Sequence, residues 1–343
     1  MKLWRKEKSL IYALHPEQVP ASGARLTYTF GLGGITIFAT LVTLLTGFAL
    51  LLYYVPTPEG AHDSLVLIEG VVSFGAILRG LHYWGAQLMV LAATLHLARV
   101  VFTGAYRPPR ELNWLIGLGL LVLTLIWDFT GFVLRWDDGA YWALLVGTNL
   151  FREVPAWGDW LYRALVGDVQ IGASALLRFY GWHVFGLTVV GVFGIVYHLW
   201  RLKKDGGISR PLLRAGETRA WIPKDELFFR EFITAAFISA ALVLLAVVAP
   251  IPLGPAASPN VVSEVRAPWI FLWVQNLLRA LPPLWAGILA PASVLLALAL
   301  FPFLDRRGPG RAVWFARERW KPQLLLALLA LGIVVLSLRE VLR

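Results

Sequence analysis

Long apolar runs alternate along the chain with short, charged connections. Seven runs are long and apolar enough to cross a bilayer, at about 31–53, 80–102, 113–134, 180–200, 232–251, 283–303 and 323–340. Each is near the ~20 residues that a hydrocarbon core about 30 Å thick demands of a helix. Segment 135–179 is too polar to span, and its spaced tryptophans and apolar residues predict short helices on a surface. Proline-rich stretches at 249–259 and 281–283 mark loop boundaries. The pattern predicts an all-α integral membrane bundle, with four spans in residues 1–215 and three in residues 216–343.

Two pairs of histidines interrupt this apolar pattern. His82 and His96 stand 14 residues apart in the second span, and His183 and His198 stand 15 apart in the fourth. An ionisable side chain inside a bilayer is costly and marks a functional site by default. Either interval is about four helical turns, so the two rings of a pair lie roughly 21–22 Å apart along the axis. That is too far to share one metal ion and suits two separate cofactors at two depths.

Composition strengthens the membrane reading. Hydrophobic residues make up 58% of the chain and the mean hydropathy is +0.67, above the roughly 45–50% apolar content of soluble domains. The N-terminal MKLWRKEK is not followed directly by an apolar region and a small-residue cleavage site, so no removable signal peptide is expected. The chain has no cysteine, which excludes disulfides, thiolate metal sites, iron–sulfur ligation by this chain and thioether-linked haem. The formal charge of +10 raises nucleic acid as a partner, but its distribution argues against that. Of 31 Lys and Arg residues, 22 fall in residues 1–30, 99–112, 201–231 and 304–322. Those segments share one side if seven helices follow a cytoplasmic N-terminus, as the positive-inside rule requires. The C-terminus then lies outside.

In that orientation the second and fourth spans both run from outside to inside. His82 and His183 then share an outer depth, and His96 and His198 an inner one. Each such couple is able to clamp one iron axially, and two imidazoles leave no open position for O₂. The chain reads as a transmembrane electron wire. Gly33 and Gly47 in the first span, and Gly117 and Gly131 in the third, repeat the 14-residue interval. They predict room for haem planes against those helices, or else ordinary packing of small residues. Arg79 and Arg99, three residues outside their histidines, are placed to pair with haem propionates or to snorkel to the interface. Arg110 is a further candidate at the inner haem.

These residues carry a family resemblance. GLGGIT at 31–36, Thr46–Gly47, PREL at 109–112, TGFVLRWDDGAYWA at 130–143, RFYGWH at 178–183 and GGIS at 206–209 resemble cytochrome b of quinol–cytochrome c oxidoreductases, especially the chloroplast and cyanobacterial bf branch. From about 220 onward the chain resembles subunit IV, the separate C-terminal partner in bf complexes, so both parts are fused here. The resemblance implies two noncovalent, bis-histidine b-type haems and quinone as substrate. It implies quinol oxidation at the outer face, one electron passing to a Rieske iron–sulfur protein and one to the outer haem, with quinone reduction at the inner face. A Rieske protein, a c-type cytochrome, surrounding lipids, the quinone pool and a homodimer within a larger complex follow as partners, in a bacterial cytoplasmic membrane. The family's covalently attached third haem depends on a cysteine where this chain has Gly31, so no cysteine-linked haem is expected.

The outer quinol site departs from the family. Its Pro-Glu-Trp-Tyr element aligns with Ala267, Pro268, Trp269 and Ile270, and Arg135 replaces the proline before Trp136. Pro268 has no side chain that accepts a proton. Asp128, Asp137 and Glu264 are alternative acceptors, with Asp138 beside them. The bland alternative is that Asp128 is bonded inside the bundle and the loop carboxylates are solvated. Phe132, Arg135, Trp136, Tyr141 and Trp269 are the outer quinone-site candidates, and Arg201 and Lys204, with Lys203 and Asp205 beside them, the inner ones. His15 and His62 fall in expected loops.

Three function classes remain open: the dihaem subunit of a bc/bf-like complex; a haem conduit joining another outer redox partner to the quinone pool without bifurcated quinol oxidation; and a transporter or structural protein with incidental histidines.

Overall fold

The computed structural model describes residues 18–210, 220–249, 251–258, 266–306 and 308–343. Glu264 and His15 lie outside the described residues. The helices are α1 (Leu32–Leu51), α2 (Ala61–Gly70), α3 (Gly75–Thr103), α4 (Glu111–Val133), α5 (Asp138–Arg152), α6 (Gly158–Val166), α7 (Ala173–Lys204), α8 (Lys224–Val248), α9 (Leu272–Leu278), α10 (Leu284–Leu304) and α11 (Trp320–Val341). Seven of them, α1, α3, α4, α7, α8, α10 and α11, are long and apolar enough to cross a membrane. They match the seven runs read from the sequence.

Three spans start five or more residues earlier than the hydrophobic pattern places them, α3 at Gly75, α7 at Ala173 and α8 at Lys224, the last two for local reasons. α8 begins at Lys224, because Asp225 and Glu226 in its first turn complement the positive end of the helix dipole. α7 begins at Ala173 because the polar segment ends in a turn that continues directly into the span. The rest of segment 135–179 forms α5 and α6, the short surface helices its pattern predicts. His62 departs from expectation: it lies on α2, not in a loop, with its Nε2 2.9 Å from the Gly254 carbonyl oxygen.

α1 packs along α3, α7 and α10 pack on α4, and α8 and α11 pack on α3. Small residues set the close approaches. A Cβ added at Gly80 would lie 2.7 Å from Ala246 Cβ on α8, and one at Gly85 would lie 3.1 Å from Thr43 Cγ2 on α1. In lipid, where there is little hydrophobic drive between helices, such contacts carry association. The two sequence halves interlock. Gln18–Pro20 pairs antiparallel with Trp221–Pro223, and the Trp114 indole donates to the Leu298 carbonyl at 2.8 Å. Arg107 and Arg319 close on Asp305, and Tyr106 donates to the same carboxylate at 2.6 Å.

Loop 251–258 is stitched to the start of α5. Asp137 is fully buried and caps that helix, accepting from Ala140 N at 2.8 Å. Its other oxygen accepts from Gly254 N and from Arg135 Nε, each at 2.9 Å. Asp138 accepts from Ser258 N at 2.7 Å.

Candidate functional site

The histidine intervals of 14 and 15 residues come into register through one irregular turn. Trp182–Gly186 is a π-turn in which the Leu187 N–H reaches the Trp182 carbonyl, five residues back. A π-turn takes up one more residue than an α-turn. The longer His183–His198 interval therefore covers nearly the same rotation and rise as His82–His96.

His82 and His183 face each other with ring centroids 6.1 Å apart and planes at 73°. Two metal–nitrogen bonds of about 2 Å each, with a ring radius on either side, give about 6 Å between centroids, so the couple is spaced as two imidazoles that would hold one metal ion between them. His82 Nδ1 lies 3.0 Å from the Thr43 carbonyl and 3.2 Å from Thr46 Oγ1. His183 Nδ1 lies 3.1 Å from both the Trp127 carbonyl and Thr130 Oγ1. Each carbonyl belongs to the residue four before a glycine, Gly47 or Gly131, so α1 and α4 present the same device twice. A Nδ1–H donated to a carbonyl fixes the tautomer and leaves Nε2 as the ligand atom.

The glycines serve a narrower purpose than expected. A Cβ added at Gly47 would sit 2.9 Å from His82 Cε1, and one at Gly131 would sit 2.7 Å from His183 Cε1. At Gly117 the distance to His198 Cε1 is 3.1 Å, and at Gly33 it is 3.5 Å to His96 Cε1. Gly47, Gly131 and Gly117 thus make room for the imidazoles themselves, whereas a Cβ at Gly33 would meet His96 in ordinary contact.

His96 and His198 line a cavity of about 710 Å³, together with Gly33, Gly117, Arg99 and Arg110. That volume suits a large organic ligand. The Asn113 backbone faces His198, four residues before Gly117, but His198 Nδ1 does not meet hydrogen-bond geometry. Arg99 and Arg110 are only 6% and 5% exposed, yet among the described residues Arg99 Nη2 and Arg110 Nε and Nη1 have no hydrogen-bond partner. Their other groups are engaged: Arg99 Nε donates to the Tyr28 carbonyl at 3.4 Å and the guanidinium lies 4.4 Å over the Tyr28 ring, while Arg110 Nη2 donates to the Gly207 carbonyl at 3.1 Å. Burial, and secondarily the neighbouring Arg311 charge, pull the Arg110 guanidinium below its ordinary value. Two buried guanidinium groups with free donors call for an anion, and the propionates of a haem held by His96 and His198 fit that demand.

Arg79 is differently placed. It is buried against Glu69 of α2 and donates to the Pro252 carbonyl at 3.1 Å, partners that its spacing from His82 does not reveal.

The inner basic residues are placed differently from one another. Lys203 lines the cavity, whereas neither Arg201 nor Lys204 does. Arg201 pairs with Asp205 at 3.0 Å, and Lys204 lies over the Trp200 ring at 4.4 Å. Helical periodicity is the reason: Ile195, His198, Leu199, Leu202 and Lys203 share the cavity face of α7.

The outer candidates divide into two groups. Trp136 is a core residue, 5% exposed and packed among Val133, Leu144 and Tyr162. Tyr141 packs edge-on against it at 6.0 Å, and the Arg135 guanidinium lies 4.5 Å over the Phe132 ring. Trp269 stands apart from them. Its indole donates to Gln87 Oε1 at 2.5 Å, and Gln87 Nε2 donates to Asp128 Oδ1 at 3.1 Å. Gln87 has no place in the sequence expectations, although a polar residue inside a span, five positions past His82, was the available signal.

With this geometry in hand, the comparisons with known proteins are specific. The family described as Cytochrome b/b6/petB matches residues 18–206. The family described as Cytochrome b(C-terminal)/b6/petD matches residues 255–340. Cytochrome b6 of Heliobacterium mobile is 42% identical over 200 residues, covering 58% of this chain and 92% of that protein. The menaquinol:cytochrome c reductase cytochrome b subunit of Bacillus subtilis (strain 168) is 38% identical over 198 residues, covering 57% and 88%. A solved structure, "Hyperthermophilic respiratory Complex III", superposes with a TM-score of 0.83 at 22% identity, over 98% of this chain and 89% of that one. It shares the fold. The chain belongs to the cytochrome b/b6 family and is an integral membrane protein.

Proposed function

From that membership we propose that the chain is the dihaem subunit of a bc/bf-type quinol oxidoreductase, passing electrons between a quinol-oxidation site at the His82 end and a quinone-reduction site at the His96 end. The observation that carries this reading is the His82–His183 couple, 6.1 Å apart with both Nδ1 atoms turned to helix carbonyls. Iron bound as haem between such imidazoles supplies reversible one-electron transfer without an open position for O₂.

The chain's own residues do the remaining work. Carbonyls of Thr43 and Trp127 orient the ligand rings, the ladder glycines admit them, and Arg99 and Arg110 hold propionate charge. Lys203 orients quinone at the His96 end. The distribution of basic residues supports a cytoplasmic His96 end, an outward His82 end and a C-terminus outside, in a bacterial cytoplasmic membrane. The name of the Bacillus relative supports a quinol donor and a cytochrome c acceptor. The proposal extends to a Rieske protein between them, in a homodimeric complex embedded in lipid. Residues 1–215 then carry both haem sites, while residues 216–343 complete the outer pocket.

The test is visible spectroscopy with redox titration of the purified complex. His82→Ala or His183→Ala should remove one b-type haem, and His96→Ala or His198→Ala the other. Retention of both spectra in any of these variants overturns the assignment. Pro268, which has no proton-accepting side chain, favours one second reading, a haem conduit fed by a protein donor. In that case the haems reduce from an outer protein but not from quinol.

A further inference from the structure

Resting on that reading of the His82 end, we propose that Asp128 accepts the quinol proton there and that Gln87 is its positioning residue. An indole N–H only donates and an ionised carboxylate only accepts. The Trp269–Gln87–Asp128 chain therefore has one direction, from the indole to Gln87 Oε1 at 2.5 Å and from Gln87 Nε2 to Asp128 Oδ1 at 3.1 Å. Oδ1 accepts from Gln87 whether or not the carboxyl is protonated, which leaves Oδ2 as the oxygen that takes up a proton. The hydrogen-bonded chain also joins α3, α4 and the turn preceding α9, three elements that meet at the His82 half of the bundle.

Asp128 is poorly explained as a structural residue. It lies inside a span, where a carboxylate is costly, and among the described residues it has no ion-pair partner within 4.0 Å, the limit that captures Arg135–Asp137. Tyr83, on the same helix as Gln87, is the titratable group facing it. Arg79 and Arg135 also act on Tyr83, and Gln87 is the side chain that donates a hydrogen bond to Asp128. Asp128 is part-buried and not sealed in the core. Beside it, Phe129 meets Phe271 edge-on at 5.6 Å, and Trp269 is 48% exposed. Aromatic walls with one polar acceptor suit a quinol ring. Asp137 offers no such opening, since it is fully enclosed and both its oxygens are engaged.

The step balances as follows. The two O–H bonds of quinol break, one proton bonding to Asp128 Oδ2 and the other passing to water at the pocket mouth. Its two electrons leave to one-electron acceptors of the classes already named, an iron porphyrin and an iron–sulfur centre, and quinone remains.

Asp128→Asn in the intact complex is the direct test. The amide oxygen still accepts from Gln87 but takes no proton, so both b-type spectra and midpoint potentials should stay unchanged. Haem reduction by short-tailed benzoquinol and naphthoquinol should fall about 100-fold, the scale of a lost general base. The acid limb of the wild-type rate–pH profile should vanish. A protonated-carboxyl band should disappear from the redox-difference infrared spectrum. Gln87→Leu should slow the reaction about tenfold and shift its pH profile, and Asp128→Glu should restore part of the rate. Normal quinol oxidation with an unchanged pH profile in Asp128→Asn overturns this proposal alone. A wild-type complex whose haems stay oxidised under quinol overturns the functional reading, and this proposal with it.

Discussion

At the His82 end, the imidazoles are oriented by the protein itself. Helix carbonyls and the Thr46 and Thr130 hydroxyls hold both Nδ1 atoms, and Arg79 is already closed on Glu69. At the His96 end the same two helices, α1 and α4, face a cavity in which Arg99 and Arg110 keep unpaired donors. At the first end the imidazoles are fixed by hydrogen bonds within the chain. At the second, two buried guanidinium groups keep donors open among the described residues, an arrangement that favours an anionic partner. The same ladder of histidines and glycines is thus set in two different surroundings, one dominated by close packing and the other by charge.

The largest effect that would sharpen this contrast lies at the glycines. Gly131→Val should abolish the haem of the His82 end, since even a single added Cβ would lie 2.7 Å from the His183 ring. Gly33→Ala should leave the His96-end haem bound, because its Cβ would meet His96 at an ordinary 3.5 Å. Haem stoichiometry of the two purified variants checks both, and equal losses would break the comparison.

Arg110→Leu should weaken haem retention at the His96 end by about 10–100-fold, as loss of a supporting partner typically does, and leave the other end unchanged. Competition with apo-myoglobin, read by the spectrum of each haem, measures it. The smallest effect is expected for Thr130→Val, which removes a hydroxyl 3.1 Å from His183 Nδ1 but keeps the Trp127 carbonyl. Its midpoint shift should be confined to the His82-end haem. It should stay below the ~59 mV that a tenfold change in equilibrium represents for one electron.

Much of this protein was legible before any fold was known. Seven apolar runs, four histidines and four glycines are one-dimensional periodicities, and a helix carries such a period into space nearly unchanged. Partners distant in sequence were not legible. Arg79 meets Glu69 and Pro252, Asp137 meets Gly254, and Gln87 meets both Asp128 and Trp269. Choosing Lys203 over Arg201 and Lys204 needed the phase of α7 past its π-turn, which hydrophobicity does not encode.

The sequence by itself determined the membrane class, the count of spans and the two depths at which histidines stand, because burial in lipid and helical rise act on composition and spacing alone. Only the tertiary structure decided how those histidines are used. Packing placed each glycine against an imidazole, and the turn at Trp182–Gly186 absorbed the extra residue that would have rotated His183 out of line. It also left charge unpaired at one end while satisfying it at the other. Hydrogen bonds are made or missed over a few tenths of an ångström, a resolution that residue spacing does not reach.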